Sequence, residues 1–206
     1  VAASWPDVGN IDLHARLSNF LDTGLVASGN TNTAGAGGCS GAVGPFIPAY
    51  FEVALATPRS IYYAGEPFPL RVSAMNKAGA VTLNYSALRK LSEPVTLAAN
   101  DKTGAAFASP PGALSATTIG DAMFVDGVAL VETSYVFGQS PHAPAQIRLR
   151  ARNGNASPGD VSSAASTTAE DAAMPIIRSG RLRIGNRFGG LKSVSYTHLT
   201  LPTKRI

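Results

Sequence analysis

Tyr62-Tyr63-Ala64-Gly65-Glu66-Pro67-Phe68, followed by Leu70, Val72 and Ala74 at alternate positions and then by Asn76-Lys77-Ala78-Gly79-Ala80-Val81-Thr82-Leu83-Asn84-Tyr85, decides the fold class of this chain. Apolar residues two apart put one face of an extended segment inward and the other outward. Lys77 to Gly79 reads as a turn, because glycine enters positive φ without a Cβ clash, and Val81 to Tyr85 reads as a short return strand. The run is strand, turn and strand, with no catalytic group in it.

Working outward, the same alternation recurs over Phe51 to Leu55, Pro69 to Met75, Val95 to Ala99, Gly127 to Thr133 and Ile147 to Arg152, each bounded by Gly, Pro, Asn or Asp. Charged residues make up only 15% of the chain, against 21 glycines and 14 prolines, a balance that suits short strands and turns better than charge-faced helices. These signals predict an all-β, immunoglobulin-like antiparallel β-sandwich with strands of flanking modules beside it. Its expected interior is Phe51, Val53, Leu70, Val72, Val95, Leu97, Val128, Leu130, Ile147 and Leu149. Asp126-Gly127 supplies a tight turn into the Val128 strand, a turn-into-strand that resembles bacterial immunoglobulin-like repeats. Tyr135 and Phe137 extend the pattern.

The chain divides accordingly. Residues 1–45 hold strands at Gly9 to Leu17 and Leu25 to Ala27 and a Gly/Asn/Thr/Ala loop, and read as the end of a preceding module. Residues 46–152 are the sandwich, 153–177 a Ser/Ala-rich loop or linker, and 178–193 the start of a following module.

Three further runs accompany the opening one. Pro6-Asp7-Val8-Gly9 leads into Ile11, Leu13 and Ala15; Gly44-Pro45-Phe46-Ile47-Pro48-Ala49-Tyr50-Phe51-Glu52-Val53 follows; Arg178-Ser179-Gly180-Arg181-Leu182-Arg183-Ile184-Gly185-Asn186 comes last. In this order the four runs resemble the C-terminal region of MshQ-like proteins, a family assigned to biogenesis of the mannose-sensitive haemagglutinin (MSHA) type IV pilus. Pro45, where a basic residue is common, and Arg187-Phe188, in place of a small-aromatic pair, depart from that pattern. The resemblance implies a non-catalytic structural or adhesive module on the bacterial cell surface or outside the cell. Its partners would be other modules of the same polypeptide, pilus components or surface glycans.

Residues 194–206 have a different origin. Val194-Ser195-Tyr196-Thr197-His198-Leu199-Thr200-Leu201-Pro202-Thr203 resembles, codon by codon, a translated transposase mosaic end with its primer site, as used in sequencing adapters. Setting aside this adapter-like run removes Lys204 and Arg205, so 17 basic against 13 acidic residues becomes 15 against 13, and the net charge falls from +4 to +2. So small a surplus is no nucleic-acid footprint, which needs a clustered basic face. Arg148, Arg150 and Arg152 alternate with Ile147, Leu149 and Ala151 and read as a solvated strand face. No run approaches the ~20 apolar residues of a membrane span, so this chain does not insert in a membrane by itself. Together with the adapter-like end, the start at Val1 is read as that of an internal fragment, with any signal peptide or anchor outside it.

His14 and His142 lie far apart in sequence, and H-E-x-x-H, C-x-x-C, G-x-S-x-G and P-loop patterns are absent. Asp121 with Asp126, and Asp160 with Glu170 and Asp171, are the near carboxylate clusters, and neither has the spacing of a calcium loop. Gly185-Asn186-Arg187-Phe188-Gly189-Gly190 lacks phosphate-loop spacing. Cys39 is the single thiol, either an inert loop cysteine or half of a disulfide with a partner outside the chain. No catalytic residue, cofactor or metal is expected. The residues that offer ligand or partner contact are Tyr62 and Tyr63, because in a strand one ring of the pair faces inward and the other outward. Two alternatives stay open: a carbohydrate-binding module, marked by exposed coplanar aromatics beside polar groups, and a piece of a secreted hydrolase whose catalytic domain lies elsewhere.

Overall fold

The structure is a computed structural model that describes residues 4–31, 41–139, 141–155, 159–163 and 174–180. Cys39, Glu170, Asp171, the expected following module from residue 181 and the adapter-like run lie outside the described residues. Chain order gives β1 (Gly9–Ile11), β2 (His14–Phe20), β3 (Leu25–Asn30), β4 (Val43–Phe46), β5 (Tyr50–Leu55), β6 (Ile61–Tyr63), β7 (Phe68–Met75) and β8 (Val95–Asn100). Then follow β9 (Gly112–Leu114), β10 (Thr118–Ile119), β11 (Val128–Thr133), β12 (Tyr135–Phe137), β13 (Ala145–Gln146), β14 (Arg148–Arg152) and β15 (Ile176–Arg178). The described residues include two single-turn 3-10 helices, Ala87–Arg89 and Asp121–Met123.

The architecture is an all-β sandwich. One sheet has the order β11-β7-β5 and another β10-β8-β14, all antiparallel. Between them lie Phe51, Val53, Leu70, Val72, Val95, Leu97 and Leu149, buried as the alternation predicts, with Ile147 beside them at the entry to β14. A third sheet, β13-β15-β6, and the pair β12-β9 close the flank, where Tyr62, Tyr135, Phe137 and Ile177 join the same core.

Two expected core positions are wrong. Leu130 is 63% exposed and Val128 only half-buried, whereas Ala129, Val131 and Thr133 are buried. Both faces of this segment carry apolar residues, so hydrophobicity cannot choose between them, and the turn does. Asp126 (φ 46) and Gly127 (φ 80) make a two-residue hairpin turn with both central residues at positive φ, the type I′ pattern. That turn is pinned: Gly127 N–H donates to the Tyr85 carbonyl, and the Gly127 carbonyl accepts from Ala74 N–H. The resulting register sets Ala129 opposite Val72, Val131 opposite Leu70 and Thr133 opposite Phe68. Residues directly opposite share a face, so those three go inside.

Nor is Val81 to Tyr85 a strand. Val81 bridges Met75, and Thr82 N–H still donates to the Ala74 carbonyl of β7, where Thr82 Oγ1 donates as well; then the chain leaves the ladder, with Asn84 N–H donating to the Asp7 carboxylate at 3.0 Å. The Asp7 side chain has taken an amide that a return strand would pair. The preceding turn forms as expected, with Gly79 at φ 80 and Asn76 N–H donating to the Ala80 carbonyl. Asn76 Oδ1 accepts from Ala78 and Ala80 N–H, while its Nδ2 donates to the Pro6 carbonyl at 2.8 Å. Asn76→Ala is therefore expected to cost about 1–2 kcal/mol, read as a lower denaturant midpoint at unchanged slope.

Segments near both ends of the described residues join this body. Val8, from the segment read as a preceding module, is 4% exposed within the core cluster, and Ile177 is fully buried on β15, which pairs in parallel with β6. Ile177 thus belongs to the core, and its strand Ile176–Arg178 straddles the 177/178 boundary drawn from composition. Val161 and Ser163 are buried as well, Ser163 Oγ accepting from Ala151 N–H.

Phe51, Tyr85 and Phe124 form an aromatic cluster with centroid separations of 5.0 to 6.3 Å. Burial of the phenol pushes the Tyr85 pKa from 10.0 up to about 12. The fold holds the neutral form, so the stability tied to it is intact below pH 10.0 and is lost as pH rises through about 12. Ultraviolet titration of phenolate formation is expected to show Tyr85 ionising near 12, with unfolding beginning in the same range; a Tyr85 that titrates at the ordinary value contradicts the packing.

Candidate functional site

The Tyr62-Tyr63 pair splits as strand geometry requires. Tyr62 is 1% exposed, its ring 5.1 Å from Phe68 and its hydroxyl donating to the Thr57 carbonyl. Arg59 lies over that ring at 4.4 Å and pairs with Glu66. Tyr63 is half-buried and starts a turn: Glu66 N–H donates to the Tyr63 carbonyl, Gly65 sits at φ 78, and Glu66 Oε2 accepts from Tyr63 N–H. The most distinctive stretch of the sequence is therefore a stitched turn, and it offers no flat aromatic platform.

The histidines and carboxylates stay apart. His14 is exposed on β2, while His142 stacks on Phe137 at 4.6 Å and its N–H donates to Ser179 Oγ. Asp126 occupies the hairpin turn, Asp121 opens a 3-10 turn, and Asp160 grips Arg152 through two contacts of 2.7 Å. The Arg152 guanidinium lowers the Asp160 pKa below the ordinary carboxylate value. Among the described residues no three His, Cys, Asp or Glu side chains gather where a metal ion would fit. Arg148 and Arg150 are half-buried and Arg152 exposed, on the face opposite Leu149 and Ala151. Arg150 and Arg152 line a groove of about 470 Å³ with Thr96, Asn100 and Ser162. Arg150 there donates to the Ser163 carbonyl. No helix among the described residues is long and apolar enough to cross a membrane.

The open apolar surface lies at the N-terminal end. A cleft of about 540 Å³ is walled by Trp5, Ile11, Leu13, Val43 and Phe46, with Asn10 and Asp12 at its rim. β1 and β4 hold it, pairing Gly9 with Phe46 and Ile11 with Val43. Gly44 must be glycine: its φ is 140, and a Cβ would lie 2.5 Å from Asn10 Oδ1. The cleft is fixed to the sandwich by Asp7, which accepts from Asn84 N–H, and by Pro6, which accepts from Asn76. Sequence reasoning passed over Trp5, which stands beside Pro6 outside any periodic segment; being the only tryptophan in the chain was its one signal.

Beside the cleft stands the β2–β3 ribbon. Its register runs His14↔Asn30, Ala15↔Gly29, Arg16↔Ser28 and Leu17↔Ala27, then a bulge, then Phe20↔Leu25. From His14 to Asn19 and throughout β3 every residue is exposed.

A family model described as DUF6701, third domain, matches residues 7–176. No curated protein and no solved structure matches the chain.

Proposed function

This chain belongs to the family of DUF6701 third domains, and from that premise we propose that it is a non-catalytic structural or adhesive module of a pilus-associated bacterial surface protein of the MshQ-like kind, acting by contact with neighbouring modules and pilus components. The observation that supports this reading is where the polar side chains go. Asp7, Glu66, Asn76 and Asp101 each accept hydrogen bonds from backbone amides of loops and turns, and Asp160 is held by Arg152. Such groups fix loop shape, whereas an acid or base must reach a reacting atom. The Trp5 cleft, by contrast, is walled mainly by apolar side chains. Co-purification with sheared pili tests the proposal: the parent protein is expected in the pilus fraction, and its consistent absence from that fraction overturns the pilus assignment.

Surface glycan is a second reading, favoured by one observation: the Trp5 indole, 41% exposed, stands beside Asn10 and Asp12, the combination of ring face and polar rim that sugars use. Since Trp5 is the only tryptophan, its fluorescence reports this cleft alone. Titration with a mannoside is expected to leave the emission unchanged below millimolar concentration, as one ring gives little area to offset the cost of ordering a ligand. Saturable quenching at micromolar mannoside establishes the glycan reading in its place.

A further inference from the structure

Resting on the reading of this chain as one module of a longer protein, we propose that the β2–β3 ribbon and the Trp5 cleft together form the docking surface for the domain that precedes this one in the same polypeptide. The ribbon is two-faced. Its register puts Leu13, Ala15 and Leu17 on the same face as Leu25 and Ala27, Leu13 extending the ladder through the bond from Thr31 N–H to its carbonyl. His14, Arg16, Ser28 and Asn30 occupy the other face, with Val26 as its one apolar member among the described residues. This alternation is that of a hairpin with one face covered. Yet Leu13, Leu17 and Leu25 are 45, 52 and 65% exposed. A two-stranded hairpin is marginal in water without something against its apolar face.

Leu13 joins the two features, since it also lines the cleft, so the ribbon face runs on into the wall formed by Trp5 and Phe46. The surface is thus continuous and apolar, of the kind that marks an interaction site. Its occupant follows from the chain's place in its protein. A third domain follows others, and the family match opens at residue 7, just after Trp5. The polypeptide arriving from the preceding domain therefore enters along the cleft wall. A covalently attached domain is held at an effective concentration that a freely diffusing partner must exceed, reaching the millimolar range when the linker is short.

Hydrogen exchange, comparing the 206-residue chain with a polypeptide extended through the preceding domain, tests the assignment. In the longer protein the amides of residues 13–17 and 25–27 are expected to exchange about tenfold or more slowly than in the shorter one, and Trp5 emission to move to shorter wavelength. Leu17→Lys is expected to abolish both changes while leaving the unfolding midpoint of the 206-residue chain where it was, because Leu17 touches water there. Equal exchange in the two proteins overturns the proposal. Protection that grows with concentration in the 206-residue chain alone overturns it in favour of self-association, and a Trp5 shift produced by mannoside in that chain does so in favour of a sugar site. Neither readout depends on where the protein resides, so failure of the pilus assignment and failure of this docking assignment remain separate results.

Discussion

Phe51→Ala is expected to destabilise the sandwich by about 3–5 kcal/mol, whereas Leu130→Ala shifts stability by no more than about 0.5 kcal/mol. Phe51 is fully buried against Tyr85 and Phe124, so truncation leaves a cavity that the two remaining rings, held in separate elements, cannot close. Leu130 is on the outer face of β11 because the Asp126-Gly127 turn fixes the register. Denaturant unfolding of the two variants checks both halves. A Leu130→Ala loss comparable to that of Phe51→Ala shows that β11 is turned over.

Ile177→Asp is expected to have an effect of the same order or larger. Its side chain is fully buried beside Tyr62, and β15 supplies the parallel neighbour of β6, with the Arg178 carbonyl accepting from Ala64 N–H. An unpaired carboxylate there carries a penalty of several kcal/mol, a large share of the ~5–15 kcal/mol that holds a domain together. Arg178→Asp, on the exposed side of the same strand, is expected to change stability by under about 0.5 kcal/mol. Circular dichroism melts of the two variants separate the cases. If Ile177→Asp melts like the parent chain, β15 is outside the core.

The long alternating segments were legible because period-two burial is written directly into side-chain order, as in β5, β7, β8 and β14. The four runs singled out in the sequence come together in the fold: Asp7 caps Asn84, Pro6 accepts from Asn76, Gly9 pairs with Phe46, and Arg178 pairs with Tyr63. What sequence order could not encode was which of two apolar faces of β11 turns inward, since that depended on a turn clamped by Tyr85 and Ala74. Strands of two or three residues, such as β10, β13 and β15, are too short to show a period. As for the candidate site, the sequence implied that the Tyr62-Tyr63 pair splits but not which ring faces out; Tyr62 is the buried one, and Tyr63, half-buried, sits in a turn. Trp5, Phe46 and Leu13 converge only through the β1–β4 pairing, which local sequence does not announce.

The central claim is that this module works by contact at the cell surface, and labelling of intact cells with a membrane-impermeant amine reagent tests it most directly. Lys77, Lys90 and Lys102 are exposed on separate loops and turns of the sandwich. In cells making the parent protein, these lysines are expected to be labelled without lysis, as read by peptide mass spectrometry. Labelling that appears only after the cells are broken open would contradict the account.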